Sequence, residues 1–385
     1  MKMNRAGTFD NTLLTAVMIL IGFGMVMVYS SSSIIAEDKF GSANFFLLKQ
    51  LVRVGIALTV FIVVVRVDYH FYEKIALPAF IVSVILLMIV LLAPNIRVIN
   101  GARRWIAIPL ISVLFQPSDL ARVSLIIFAA TYLNRRSNTL NDLKKGYLPL
   151  LGSVCSVVLL IFLEPDFGTA FILLSILLIM MLAGGVLLSH LSWTFITGLI
   201  VSFFAVMAMS YRRQRIFAFL GLGENHSEIS YQAQQSIMGM GAGGFWGTGL
   251  GESSQKYFFL PEPFTDFVFA ILGEELGFIG TTITMILFVI VIWRGFRIAL
   301  GAKDPLGRLL AIGITSMISI YAMFHIGVSV GVLPTTGIPL PFISYGGTSM
   351  VFSMMGIGIL INISSQSKNK YTGNTTEKKW RNRQL

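Results

Sequence analysis

The chain has 385 residues, 55% of them hydrophobic and only 12% charged, with a formal net charge of +11. Soluble domains carry roughly 25% charged residues, so a chain this poor in charge, with a mean hydropathy of +0.79, cannot wet a water-facing surface. It is read as an integral membrane protein, and a disordered, collagenous, coiled-coil or cytosolic chain is excluded.

Apolar windows of about 20 residues, the length of one crossing, occur near 12–34, 44–65, 75–94, 117–133, 147–163, 170–188, 192–210, 267–293, 309–331 and 348–364. They predict an all-α polytopic membrane domain of about ten transmembrane helices spanning 1–364, with a large outer loop between the seventh and eighth. The fifth and sixth are divided by Glu164-Pro165-Asp166-Phe167-Gly168-Thr169, where Pro and Gly interrupt the helix. A weaker division falls around Ser189 to Ser192. The tail, 365–385, is basic and too polar to bury a core, so disorder is expected there.

Basic residues concentrate on alternate connections: Lys2 and Arg5, Arg66 and Lys74, Arg135, Arg136, Lys144 and Lys145, Arg294, Arg297, Lys303 and Arg308, and the tail. The positive-inside rule places both termini in the cytoplasm and explains the net charge without nucleic acid. The first apolar run lacks a small-residue cleavage site and is expected to be retained. The lone Cys155 excludes an intrachain disulfide, and the four histidines (His70, His190, His226 and His325) form no ligand-spaced pair.

Two outer loops are polar and long. The first holds Asn100-Gly101-Ala102-Arg103-Arg104-Trp105 and then Phe115-Gln116-Pro117-Ser118-Asp119. Adjacent arginines hold phosphate oxygens by charge-assisted hydrogen bonds, and Trp105 suits a headgroup layer. A ligand with both a pyrophosphate and a lipid fits this loop, as do plain snorkelling anchors beside a helix capped by Ser118. The second loop, 211–266, carries a glycine-rich run from Gly239 to Gly251. Such a run either folds tightly on other backbone or admits a ligand. At its end Asp266 stands just before an apolar helix. Partial burial there suits a proton acceptor, and helix capping by Asp266 or Thr265 is the alternative. Further along that helix Glu274 and Glu275 need partners, for which Lys49, Arg53 and Arg122 are the intramembrane cations available.

Six ordered segments, GARRWIAIP, FQPSDLAR, EPDFGTA, YQAQQS with GAGGFWGTGLG, KYFFLPEPFTDFVFAILGEELGF, and GVLPTTGIPLPFISYGGTS, make the chain resemble the SEDS family (shape, elongation, division and sporulation), which includes FtsW and RodA. The resemblance covers nearly everything except the tail. It implies a peptidoglycan glycosyltransferase in the bacterial cytoplasmic membrane that polymerises lipid II on the outer face, inverts the anomeric carbon and releases undecaprenyl pyrophosphate. By the same resemblance Asp266 is the general base and Trp105 a functionally sensitive position. Glu164, Asp166, Glu262, Ser344 and Tyr345 are pocket candidates. Arg103, Arg104, Lys256 or a divalent cation (Mg or Mn) would stabilise the leaving group. A class B penicillin-binding protein is the implied partner, with other divisome or elongasome membrane proteins. GEELG looks like FtsW and TGIPLPFISYGG like RodA, and the division type is favoured. The chain departs from the family pattern at Asp119 and Arg122, at His325 to Ser329, and at Phe264, where a histidine is common. A lipid II flippase and a non-enzymatic divisome scaffold are the competing readings.

Overall fold

The computed structural model describes residues 9–93, 104–108, 113–219, 228–256, 260 and 263–367. Helices α1 (Asn11–Phe40), α2 (Phe45–Arg66) and α3 (His70–Leu92) are followed by a short hairpin of β1 (Ile106–Ile108) and β2 (Val113–Phe115). Then come α4 (Pro117–Arg135), α5 (Leu148–Leu163), α6 (Phe167–Ala183), α7 (Leu188–Met207), α8 (Ser210–Phe219), α9 (Glu228–Gly243), α10 (Val268–Gly301), α11 (Pro305–Ser329) and α12 (Ser349–Gln366). Each expected span falls on one of these helices. Eight helical runs are by themselves long and apolar enough to cross a bilayer. The other two helices matching expected spans are α6, which has 17 residues, and α4, which carries Asp119 and Arg122 inside the protein.

Central helices approach closely through small residues, the usual device where lipid removes the hydrophobic drive for association. A Cβ at Gly358 of α12 would stand 2.7 Å from Val64 of α2, and one at Gly356 would stand 2.9 Å from Ile314 of α11. At one end of the bundle Asp10 caps α1 through Leu13 N–H and pairs with Arg294 at 2.6 Å. At that same end Arg135 holds Glu73 at 2.7 Å, and His70 lies between Asp68 and Asp304 at 2.7 and 3.0 Å.

Four expectations are corrected. The turn between α6 and α7 is made by Gly184 and Gly185 and not by Ser189 to Ser192: Gly185 is left-handed (φ 86), and Val186 N–H returns to Met181 C=O at 3.1 Å. Flanking apolar residues hid this break. Ser118 is not the cap of α4, whose cap position is Gln116 with Pro117 opening the helix. The cap position of α10 is Phe267, which has no polar side chain, so neither Thr265 nor Asp266 occupies it. The segment 211–266 contains two helices, α8 and α9, and its glycines serve backbone packing.

That packing breaks α10. Gly277 has φ 65 and ψ −161, and a Cβ there would collide with Gly247 N and with Phe245 O at 2.7 Å. Backbone from the glycine run fills the break: Thr248 N–H donates to Glu274 C=O at 2.9 Å, Gly249 N–H to Glu275 C=O at 3.1 Å, and Phe278 N–H to Gly244 C=O at 2.9 Å. Groups orphaned by the kink are thereby satisfied, which a helix broken inside a membrane requires.

Candidate active site

Four loops meet at the end of the bundle opposite the Asp10–Arg294 pair. Asp266 is partly exposed at the end of the 263–267 turn. A Cβ at Gly337 would lie 3.2 Å from Asp266 Oδ2, which puts the 335–348 loop directly against the carboxylate. Tyr345 N–H donates to Phe264 C=O at 2.9 Å and joins the same two loops a second time. Gly168 packs 3.3 Å from Thr336 and 3.1 Å from Ile338 by the same measure, which adds the start of α6. His325 of α11 fixes this loop from below through Nδ1 and Ile338 C=O at 2.7 Å.

Arg104 brings in the fourth loop. Its Nε donates to Glu164 C=O at 3.0 Å, a terminal nitrogen donates to Pro165 C=O, and Nη1 lies 3.8 Å from Asp166 Oδ2. Asp166 also caps α6 through Thr169 N–H at 3.2 Å. The β1–β2 hairpin, with Ile106 opposite Phe115, follows Arg104 and the partly exposed Trp105. Its Leu114 C=O would lie 2.6 Å from a Cβ at Gly347. Thr348 accepts from Gln116 N–H at 3.1 Å and donates to Asp119 at 2.6 Å.

Glu164 is 1% exposed, and neither carboxyl oxygen has a hydrogen-bond partner among the described residues. Burial, reinforced by the negative charge of Asp166 and only partly offset by Arg104, pushes its pKa up to about 8. At neutral pH it is therefore a protonated acid beside the site.

Two further site candidates are buried in local contacts. Lys256 is 2% exposed; its ammonium donates to Gly251 C=O and lies 3.7 Å from Glu275. Ser344 is buried, and its hydroxyl accepts from Leu340 N–H at 2.8 Å to close the turn. Arg103 and Glu262 lie outside the described residues.

The partners expected for the paired acids of α10 are also corrected. Glu274 accepts from Ser253 Oγ, from Ser254 N–H at 2.9 Å and from Ser254 Oγ at 2.7 Å, while Glu275 accepts from Ser30 at 2.6 Å besides pairing with Lys256. Lys49, Arg53 and Arg122 are used elsewhere. Arg122 binds Asp119 at 3.5 Å and Ser349 at 3.1 Å. Arg53 lies 4.1 Å over the Tyr345 ring, and its Nε and Nη1 have no hydrogen-bond partner among the described residues. Gln50, one turn away, is likewise buried, and its amide has no hydrogen-bond partner among the described residues. These two residues were missed as neighbours of the site. Their i, i+3 spacing on a mainly apolar helix was the available signal.

Residues 11–369 match the family of FtsW, RodA and SpoVE, described as "Cell cycle protein". The chain is 39% identical to stage V sporulation protein E of Bacillus subtilis (strain 168), over 93% of this chain and 98% of that one. It is 37% identical to a probable peptidoglycan glycosyltransferase FtsW of Geobacter sp. (strain M18), over 95% and 99%. Among solved structures, a chain from a study of how a peptidoglycan synthase complex coordinates polymerization and crosslinking superposes with a TM-score of 0.76 at 25% identity, covering 93% of this chain and 98% of that one. The rod shape determining protein RodA of Thermus thermophilus superposes with a TM-score of 0.69 at 24% identity, covering 94% and 99%.

Proposed function

Because the chain belongs to the FtsW/RodA/SpoVE family of multi-pass membrane proteins, we propose that it is a peptidoglycan glycosyltransferase that polymerises lipid II, with Asp266 as general base. The observation that carries the reading is the partly exposed Asp266 at the convergence of the 104–108, 113–116, 164–168 and 335–348 segments. FtsW-named relatives support the division type.

An acceptor sugar hydroxyl gives its proton to Asp266 as its oxygen attacks the anomeric carbon of the donor. The bond from that carbon to the pyrophosphate oxygen breaks, its electron pair leaves with undecaprenyl pyrophosphate, and backside attack inverts the centre. Arg104, oriented by the carbonyls of Glu164 and Pro165, offers cationic N–H groups to the developing charge, with Arg103 next to it in sequence. No group of three or more His, Cys, Asp or Glu side chains comes together among the described residues. A divalent cation would therefore depend on substrate oxygens with one or two carboxylates.

In this reading the site end is the outer face of the cytoplasmic membrane and both termini are cytoplasmic. The chain works with a class B penicillin-binding protein, which supplies crosslinking. The solved relative from a complex coordinating polymerization and crosslinking supports that pairing.

Lipid II polymerisation by the purified protein tests the proposal. Asp266→Asn is expected to lower the rate by about 10²–10⁴-fold, the range for loss of a general base, with an unchanged thermal midpoint. Full polymerisation by the amide variant refutes the base. A flippase or a scaffold would tolerate that amide, and wild type without polymer in the presence of its partner favours one of them.

A further inference from the structure

Helix α2 buries Gln50, Arg53, Ala57 and Val64, which fall on one helical face. The half of that face nearer the site is polar and is not matched by protein groups. Arg53 is 6% and Gln50 1% exposed, and Arg53 Nε and Nη1 and both Gln50 amide atoms have no hydrogen-bond partner among the described residues. The Tyr345 ring, 4.1 Å from the guanidinium carbon, attracts the cation through its π face, whereas the N–H donors require acceptor oxygens. An arginine cannot shed its charge to escape burial, so these donors call for an anion.

Tertiary register shows what faces them. Helices α2 and α12 run side by side in the same direction: Val64 packs on Gly358, and one turn on Asn362 donates to Val65 C=O at 2.9 Å and accepts from Tyr69 N–H at 3.0 Å. Arg53 precedes Val64 by the same eleven residues by which Gly347 precedes Gly358, a rise of about 16 Å along an α-helix. Arg53 is therefore level with the Tyr345-Gly346-Gly347-Thr348 turn that opens α12, in agreement with its contact to Tyr345. N–H groups in the first turn of a helix lack intrahelical partners and carry the positive end of its dipole. Thr348 does not cap α12 with its hydroxyl, which bonds Gln116 and Asp119. Gly346 and Gly347 are partly exposed and have no side chains to shield their backbone. Asp119 does not oppose an anion here, since Arg122 pairs with it at 3.5 Å.

A glycine turn, a helix N-terminus, a guanidinium and an amide together suit phosphate oxygens. Away from its buried face, α2 exposes Leu48, Leu51 and Val52, so the cradle adjoins a surface for hydrocarbon. A phosphate ester of a long isoprenoid meets both demands. We propose that Arg53, Gln50 and the 345–348 turn bind the pyrophosphate of a polyprenyl-linked substrate. The inference rests on the polymerase reading and deepens it: Arg104 is fastened to the 164–166 loop, and Arg53 supplies a second cation from a different helix.

Binding of undecaprenyl pyrophosphate to the full-length protein in detergent, read by calorimetry, tests the cradle. Arg53→Met is expected to weaken binding about tenfold or more, as loss of charge-assisted hydrogen bonds implies, and Gln50→Leu to weaken it less. Undecaprenol, which lacks phosphate, should bind wild type and Arg53→Met alike. Without ligand, Arg53→Met should melt at or above the wild-type midpoint, since an unpaired buried cation is exchanged for an apolar chain. A variant that melts well below wild type, or fails to fold, marks a structural arginine and overturns the cradle. So does an affinity for undecaprenyl pyrophosphate unchanged in both Arg53→Met and Gln50→Leu. An Arg53 dependence found for phosphatidylglycerol and not for the pyrophosphate assigns the site to a phospholipid headgroup and overturns the substrate claim. Wild type that makes no polymer from lipid II, yet binds the pyrophosphate through Arg53, defeats the polymerase reading and keeps the cradle.

Discussion

Helices α12 and α7 are both apolar enough to cross a membrane, yet 78% of the crossing window of α12 and only 11% of that of α7 is buried within the protein. The buried helix is the more polar one: α12 carries Ser349, Ser353, Asn362, Ser364 and Ser365 inside the bundle. The exposed one presents Trp193, Phe195, Leu199, Phe203 and Phe204 outward. In water the order would be reversed. In lipid an apolar face loses nothing by remaining outside, whereas hydroxyls, amides and charges must find protein partners. Polarity therefore marks the interior of this protein, and the polar centre leads to the site through Asp119, Thr348 and Ser349.

The most severe test of that contrast is Arg122→Ala, which leaves Asp119 buried without its cation. Stability is expected to fall by about 3–5 kcal/mol, the cost of breaking a buried pair by removing one partner, and thermal or denaturant unfolding in detergent measures it. A change below 1 kcal/mol would mean that the central ion pair is dispensable and that polarity is not what organises the core.

A second test uses pH. Glu164 titrates near 8 in the folded protein against 4.5 for a free carboxyl, so between those values the folded state holds a proton that the unfolded state has released. Its contribution is neutral below about 4.5, destabilises progressively as pH rises, and levels off above 8. The slope reaches about 1.4 kcal/mol per pH unit for one proton. The thermal midpoint of wild type should decline from pH 5 to 8 more steeply than that of Glu164→Gln. Parallel profiles would show that Glu164 is ionised in the fold.

The smallest effect is expected on the lipid-facing side. Leu199→Ala on α7, a residue 48% exposed, should alter stability by about 0.5 kcal/mol or less, as for other positions without packed neighbours. A larger loss would show that α7 is packed by something beyond the chain.

Much of the architecture was legible in the sequence because crossing length is a one-dimensional property. All ten apolar windows fell on helices, and Asp266 stood where polarity gives way to an apolar run. The errors have a common cause. The partners of the α10 acids were misassigned: the outer-loop Lys256 is buried against Glu275, whereas the intramembrane Arg53 lies over Tyr345 beside the site. Side-chain type announces a need for a partner without naming it. The glycine run likewise admitted two readings, and only the break at Gly277 shows that it serves backbone packing. Departures from the family pattern also acquired roles in three dimensions. His325 anchors Ile338, Ser329 Oγ donates to His325 C=O at 3.0 Å, and Phe264 packs against Phe46 and Tyr345.

Sequence alone determined the membrane class, the approximate spans, the family resemblance and the acid at the helix entrance, since each depends on local composition or on residues in order. Tertiary structure decided which loops surround that acid, which cation accompanies which carboxylate, and which helices face lipid. Those outcomes depend on contacts between residues tens to hundreds of positions apart, such as Asp119 with Thr348 or Ser30 with Glu275. In a medium without water, polar groups such as these are satisfied by partners that sequence order does not reveal.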